Sequence, residues 1–243
     1  LGLAAGTWAV ISAGEHGWGV PQLAAAAVGA GLLTGFVAVE RRIPEPMLPS
    51  GLFAGRGFTV AVTVGFCLNV SFFGQLFVLS LFFQRTLGHD AWEAGLALAP
   101  QACSAVVAAP LGGRAAARFG VFPAMLMGLV LGAAGFVGTA FIGSGTAPLV
   151  VSGVTFAAGF GMAFAMPAAT AAAVSAVPDE LAGTAGGVVN AARQTGSVAG
   201  VAILGGVVAA DASPSGFRVA MLMAAGIFIA AAALVSAAAR DPA

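Results

Sequence analysis

Long apolar runs, almost free of charged residues, dominate this sequence and restrict what it can fold into. Short polar segments separate eight such runs, which we letter A to H in chain order: 1–12, 21–39, 58–83, 93–112, 121–142, 147–173, 181–210 and 216–239. A helix needs about 20 apolar residues to cross the roughly 30 Å of bilayer hydrocarbon. Runs B to H reach this length, whereas run A is too short. The pattern predicts an all-α integral membrane protein.

The balance of residue types supports the same class. Hydrophobic residues make up 60% of the chain and charged residues only 7%, whereas a soluble domain carries about 25% charged residues. So few charges would not cover a globular surface, and the remaining surface must face lipid. The formal net charge is zero, which argues against a nucleic-acid partner because such partners need a basic patch.

The arginines predict how the chain is oriented. If runs B to H all span, six arginines share one side of the membrane, namely Arg41, Arg42, Arg56, Arg114, Arg118 and Arg240. The opposite side has only Arg85 and Arg218. Because basic residues accumulate in cytoplasmic loops, we expect a cytoplasmic C-terminus.

Catalytic or metal-binding chemistry has little support in the sequence. Cys67 and Cys103 lie inside apolar runs, where we expect small buried side chains rather than a disulfide or a metal site. His16 and His89 lie in short polar segments and are expected to be solvated. The spans contain no carboxylate pair and no nucleophile beside a base. We therefore expect neither an enzyme nor a cofactor.

Polar residues inside a membrane span are costly and are the best markers of a transport route. In run G, Asn190, Arg193, Gln194 and Ser197 follow the spacing i, i+3, i+4, i+7 and therefore share one helix face. Arg193 lies more than two helical turns past Pro178. We expect its charge to face the bundle interior or a wet cavity; the alternatives are that it reaches back to the membrane interface or pairs with a neighbouring carbonyl.

Run C supplies a second face. Asn69, Phe72 and Phe73 lie on it with Leu76, Ser80 and Phe83, whereas Gln75 is expected to point elsewhere. Aromatic rings beside an amide suit a hydrophobic or cationic ligand, although packing or lipid contact explains such a row equally well. Gln101 in run D is a weaker candidate for the same pathway.

Glycines at four-residue spacing predict close helix contacts, because small residues let backbones approach. The pairs are Gly128 with Gly132, Gly183 with Gly187, and Gly196 with Gly200.

The segment P-L-G-G-R-A-A-A-R-F-G at 110–120 resembles the cytoplasmic G-x-x-x-D-R-x-G loop of the major facilitator superfamily. Gly113, Arg118 and Gly120 match, and Ala117 stands where the family has an acid. Through this resemblance, Gly113, Arg114, Arg118 and Gly120 are expected to form a cytoplasmic gating loop.

Further stretches resemble the fourteen-helix drug:proton antiporters of that superfamily, in family order. They are E-R-R at 40–42 with P-M-L-P at 46–49 and L-F at 52–53, E-A-G-L-A-L-A-P at 93–100, and G-G-V-V-N at 186–190 with A-R-Q-T-G at 192–196.

The resemblance implies an architecture and an activity. Residues 58–243 would form the C-terminal six-helix half of the transporter, and residues 1–57 one full and one truncated central helix with a cytoplasmic linker. The activity would be proton-coupled efflux of hydrophobic or cationic drugs from a bacterial cell, through the plasma membrane. Glu93 lies at the boundary of run D, and no other acid lies in runs C to H, so a missing N-terminal half is expected to carry the proton site.

Two alternatives remain open. One is a transporter of another metabolite or antibiotic on the same fold. The other is a membrane subunit that does not transport.

Overall fold

A computed structural model describes residues 19–40, 52–53 and 55–240, together with positions 2, 5, 6, 8, 9 and 12. The predictions that concern His16, Arg41, Arg42 and the segment 46–49 lie outside these residues. Seven helices occur in the described part, and no strand does: α1 (Val20–Glu40), α2 (Arg56–Leu81), α3 (Ala91–Phe119), α4 (Val121–Thr139), α5 (Pro148–Ser175), α6 (Ala182–Ala210) and α7 (Pro214–Arg240).

The predicted helical membrane class is confirmed. Five described helices are long and apolar enough to cross a bilayer: α2, α3, α4, α5 and α7. Helix α6 has 29 residues, but its N-terminal half carries the polar stripe of run G, which lowers its hydropathy. Spanning by α6 and α1 therefore remains a prediction.

The chain divides into two compact units, residues 1–54 and 55–243. In the first unit, Gly29 of α1 lies so close to Gly2 and Gly6 that an added methyl group would meet their backbones. The second unit contains the six helices α2 to α7.

These six helices pack as two related sets of three, α2–α4 and α5–α7. Helix α2 packs closely on α6, and its counterpart α5 packs on α3. Helix α4 packs on α5, and α7 likewise packs on α2. Because each set has an odd number of helices, the second starts from the opposite membrane face. This arrangement is the inverted repeat typical of many secondary transporters.

Glycines create the closest of these contacts, as two of the three predicted pairs show. A methyl group at Gly128 or Gly132 would collide with α5 or with Phe228, and one at Gly196 or Gly200 would collide with the α2 backbone. Gly183 and Gly187 have nothing within 4 Å of the place where a side chain would start. That third prediction is wrong for the described residues, because Gly183 and Gly187 lie on the exposed face of this end of α6, whereas Ala185 and Val189 occupy its buried face.

Candidate substrate pathway

The two polar stripes predicted from sequence meet where α2 packs on α6. Asn69 of α2 is only 1% exposed. Its Oδ1 accepts a hydrogen bond from Ser197 Oγ of α6 over 3.3 Å, and its Nδ2 donates to the carbonyl of Gly65 over 2.9 Å. Ser197 Oγ also lies 3.1 Å from the carbonyl of Arg193. This polar cluster ties the middle of α2 to the middle of α6.

Helices α2 and α6 run parallel at this contact and keep one register. Asn69 pairs with Ser197, Gly65 lies beside Arg193, and Phe77 lies beside Gly205. In each of these three pairs, the two residues are the same number of positions apart in the sequence, as expected for two parallel helices in a constant register. Gly196 and Gly200 keep the two backbones close, so the polar cluster lies at a tight helix contact, with Asn69 buried and Ser197 half-buried at its edge.

Arg193 enters this cluster with an uncompensated charge. A methyl group on Gly65 would lie 3.5 Å from Arg193 Cγ, so the arginine stem packs over this glycine. The Nε atom of Arg193 is buried and has no hydrogen-bond partner among the described residues. Burying such a donor without a partner costs about 1–3 kcal/mol or more, so a group that pairs with this nitrogen would stabilise the site.

The other predicted pathway residues of α6 and α2 are open. Asn190 and Gln194 are exposed on α6. On α2, Phe72 is half-buried and Phe73 is 37% exposed, and their rings meet edge to face with centroids 5.3 Å apart. These four side chains are available to a partner or to lipid.

The predicted aromatic face does not continue to the end of α2. Phe83 is 1% exposed and belongs to a turn of π-helix, Phe82–Thr86, that ends α2. Its ring stacks on His89 at 5.9 Å. Phe83 is therefore buried against neighbouring residues and is not part of an exposed aromatic face. His89 is half-buried rather than solvated, so that prediction is wrong.

Gln101 lies in a buried amide pair. Its Nε2 donates to Gln75 Oε1 over 2.8 Å, and Gln75 Nε2 donates to Gln101 Oε1 over 3.3 Å. Both side chains are at most 1% exposed. The sequence indicated that Gln75 lies off the Asn69 face, but it gave no sign of this pairing. Gln101 therefore joins α2 to α3 and does not line an open surface.

The expected gating loop is largely helical. Helix α3 continues to Phe119, so Gly113, Arg114 and Arg118 belong to its last two turns. Only Gly120, with a φ of 92°, forms the connection to α4. The run of alanines at 115–117 favours helix, which explains why the helix ends later than predicted. The guanidinium of Arg118 lies 5.3 Å from the ring centre of Phe119.

Other sequence candidates have structural roles. Asp90 and Glu93 form a reciprocal capping box at the start of α3, so Glu93 is not a buried acid. Cys67 and Cys103 are free thiols, the first half-buried and the second exposed. The prediction of two buried cysteines is therefore wrong for Cys103.

Comparison with known proteins agrees with the helix arrangement. The sequence profile described as "Major Facilitator Superfamily" matches residues 1–201. The chain belongs to the major facilitator superfamily. The inverted repeat of α2 to α7 is thus part of a major facilitator fold, and the protein is a multi-pass membrane protein.

Several relatives of this superfamily member are resistance proteins. Over 84% of the chain, it is 36% identical to the methylenomycin A resistance protein of Streptomyces coelicolor. Over 82%, it is 32% identical to the tetracenomycin C resistance and export protein of Streptomyces glaucescens. Over 84%, it is 32% identical to the multidrug resistance protein Stp of Mycobacterium tuberculosis. The chain spans 43%, 37% and 38% of these three relatives, respectively.

Proposed function

We propose that this chain is the substrate-binding C-terminal part of a proton-driven exporter of small hydrophobic compounds. The observation that carries the proposal is the polar cluster of Asn69, Arg193 and Ser197 between α2 and α6. Polar groups at membrane depth are retained where they serve a transport route. The similarity to export and multidrug resistance proteins supports the same activity.

The exposed groups beside the cluster fit a binding surface. Asn190 and Gln194 offer amides on α6, and Phe73 offers an aromatic ring on α2. Apolar area with a few polar groups is what binds drug-sized molecules. Alternating access then moves the bound molecule from one side of the membrane to the other, as a carrier does, without chemical change.

Proton coupling requires a group that this part of the chain does not offer within its helices. Between residues 55 and 240 the carboxylates are Asp90, Glu93, Asp179, Glu180 and Asp211, and all five lie in turns or at helix ends. We infer that an N-terminal half of the same transporter supplies the titrating carboxylate. An antibody against the segment around Arg240 tests this directly. A membrane band near twice 23.6 kDa agrees with the inference, and a band near 23.6 kDa contradicts it.

Loss of the Arg193 charge tests the export proposal. In cells that express the full-length gene product, Arg193→Ala is expected to raise the retained amount of a hydrophobic fluorescent dye severalfold, because the site loses its charged group. Arg240→Ala is the matched control, since Arg240 is an exposed arginine at the end of α7. Membrane abundance is measured for both variants by immunoblot. Dye retention that equals that of the unmodified protein, at equal abundance, would exclude Arg193 from the export route.

A proton uncoupler tests the energy source. We expect it to raise dye retention in cells with the unmodified protein to the level of cells without it. Export that continues in the presence of the uncoupler would contradict proton coupling.

A further inference from the structure

If α6 spans the membrane as the sequence predicts, the guanidinium of Arg193 lies deep enough to need a charged partner. A helix of 29 residues is about 43 Å long, close to the full thickness of a bilayer with its headgroups. Arg193 lies about 16 Å along α6 from Ala182, and the neighbouring Gly65 lies about 14 Å along α2 from Arg56, at 1.5 Å per residue. If α6 spans the membrane as predicted, both helices place the arginine below the headgroup layer.

Reaching back to the interface would leave the buried Nε of this arginine without a hydrogen-bond partner. A side chain that escapes to the headgroups keeps its charged head in water. Here the stem packs over Gly65, and Nε is buried without a partner among residues 55–240. The five carboxylates of that range lie at helix ends and turns. The charge of Arg193 is therefore left for a group from outside these six helices.

The neighbouring polar groups suit an anion. Asn190 and Gln194 are exposed on the same face of α6 and carry N–H donors. A guanidinium presents its donors in a planar fork that matches a carboxylate. No acid of residues 55–240 lies beside these donors to attract a cation. A bound molecule with a carboxylate would complete the hydrogen bonding of Arg193 and neutralise its charge.

We propose that Arg193 binds the carboxylate of a hydrophobic exported compound, with Asn190 and Gln194 as additional donors and Phe73 against the apolar part. The proposal rests on the export function proposed above and narrows its substrate class. It favours anionic or zwitterionic compounds over purely cationic ones. The competing source of the carboxylate is an acidic side chain elsewhere in the same polypeptide, and the experiment separates the two.

The experiment measures binding and does not depend on export. Full-length protein in nanodiscs of zwitterionic lipid is titrated with three fluorescent probes: pyrenebutyrate, pyrenebutyramide and pyrenebutyl-trimethylammonium. The three share one apolar group and differ in head-group charge. Empty nanodiscs correct for partition into lipid. The variants are Arg193→Gln and Arg193→Lys, and Arg240→Gln is the control for loss of one positive charge.

The proposal predicts a preference for the anion that depends on one residue. The unmodified protein and Arg240→Gln should bind pyrenebutyrate about tenfold or more tightly than the amide, since a hydrogen bond to a charged group contributes more than one to a neutral group. Arg193→Gln should abolish this difference, and its affinity for pyrenebutyramide should stay within about twofold of that of the unmodified protein. Arg193→Lys should retain part of the preference, because it keeps the charge and loses the planar fork.

Two results would overturn the proposal. One is equal binding of the three probes by the unmodified protein, which requires no variant to fold. The other is a similar loss of amide and carboxylate binding in Arg193→Gln, which indicates an arginine paired with a carboxylate of the protein. If the carboxylate preference is present but cells export none of the probes, the export function fails and the anion site stands.

Discussion

At the scale of single residues, the amides of Gln75 and Gln101 depend on each other. Replacing Gln75 alone with Leu leaves the buried Gln101 amide without its partner, which costs about 1–3 kcal/mol, whereas removing both partners is close to neutral. We predict that Gln75→Leu lowers the unfolding midpoint of the purified full-length protein by about 1–3 °C. The double variant with Gln101→Leu should recover most of this loss. A double variant as unstable as the sum of both single variants would contradict the pairing.

The same residues show what spacing alone predicts. Helical periodicity placed Asn69 on a face of α2 and Ser197 on a face of α6, and both assignments lead to the observed cluster. Their meeting was not predictable, because the register between two helices is set by packing and not by the spacing within either helix. Gln101 was misjudged for the same reason, since its partner Gln75 lies on another helix.

At the scale of helices, the contact between α2 and α6 depends on the absence of side chains at particular glycines. A methyl group at Gly200 would collide with the carbonyl of Val70, whereas Gly206 on the same helix has open space around it. We predict that Gly200→Ala destabilises the full-length protein by about 1–3 kcal/mol through overpacking. Gly206→Ala should be neutral or stabilising by up to about 1 kcal/mol, because Ala favours helix.

Thermal unfolding in detergent measures both glycine variants. Equal thermal unfolding midpoints for Gly200→Ala and Gly206→Ala would contradict the close contact between α2 and α6. The sequence predicted this contact through the four-residue spacing of Gly196 and Gly200. The sequence could not distinguish this pair from Gly183 and Gly187, because both pairs have the same spacing. The two pairs differ in their surroundings: the α2 backbone lies against Gly196 and Gly200, whereas nothing lies within 4 Å of a side chain placed at Gly183 or Gly187.

Helix ends were predicted less well than helix positions. The apolar run D ends at Gly112, where a polar segment with Arg114 and Arg118 follows, but helix α3 continues to Phe119. Glycines inside a membrane helix are tolerated where neighbours pack closely, and a methyl group at Gly112 would meet the backbone of Phe164 on α5. Gly112 therefore serves close packing and does not end the helix.

At the scale of the whole molecule, the arginine distribution predicts a cytoplasmic C-terminus. We fuse a fluorescent protein that matures only in the cytoplasm to the full-length protein after Arg240. This fusion should fluoresce. Alkaline phosphatase fused after Ser213, in the turn between α6 and α7, should be active because it needs the periplasm. Exchange of the two reporters is the control and should silence both. Phosphatase activity of a fusion after Arg240 would show that the C-terminus faces the periplasm and would contradict the predicted orientation.

Substrate protection of a single cysteine tests most directly whether the α2–α6 cluster lies on the transport route. In a full-length protein from which all native cysteines have been removed, Cys67 and Cys103 among them, Ser197→Cys places a single thiol in the cluster. Thr195→Cys is the control, because it is exposed at nearly the same depth but about 200° away around α6. We predict that a maleimide labels Ser197→Cys and that an exported compound slows this labelling severalfold, while labelling at position 195 does not change. Protection at neither position, or only at position 195, would contradict the account.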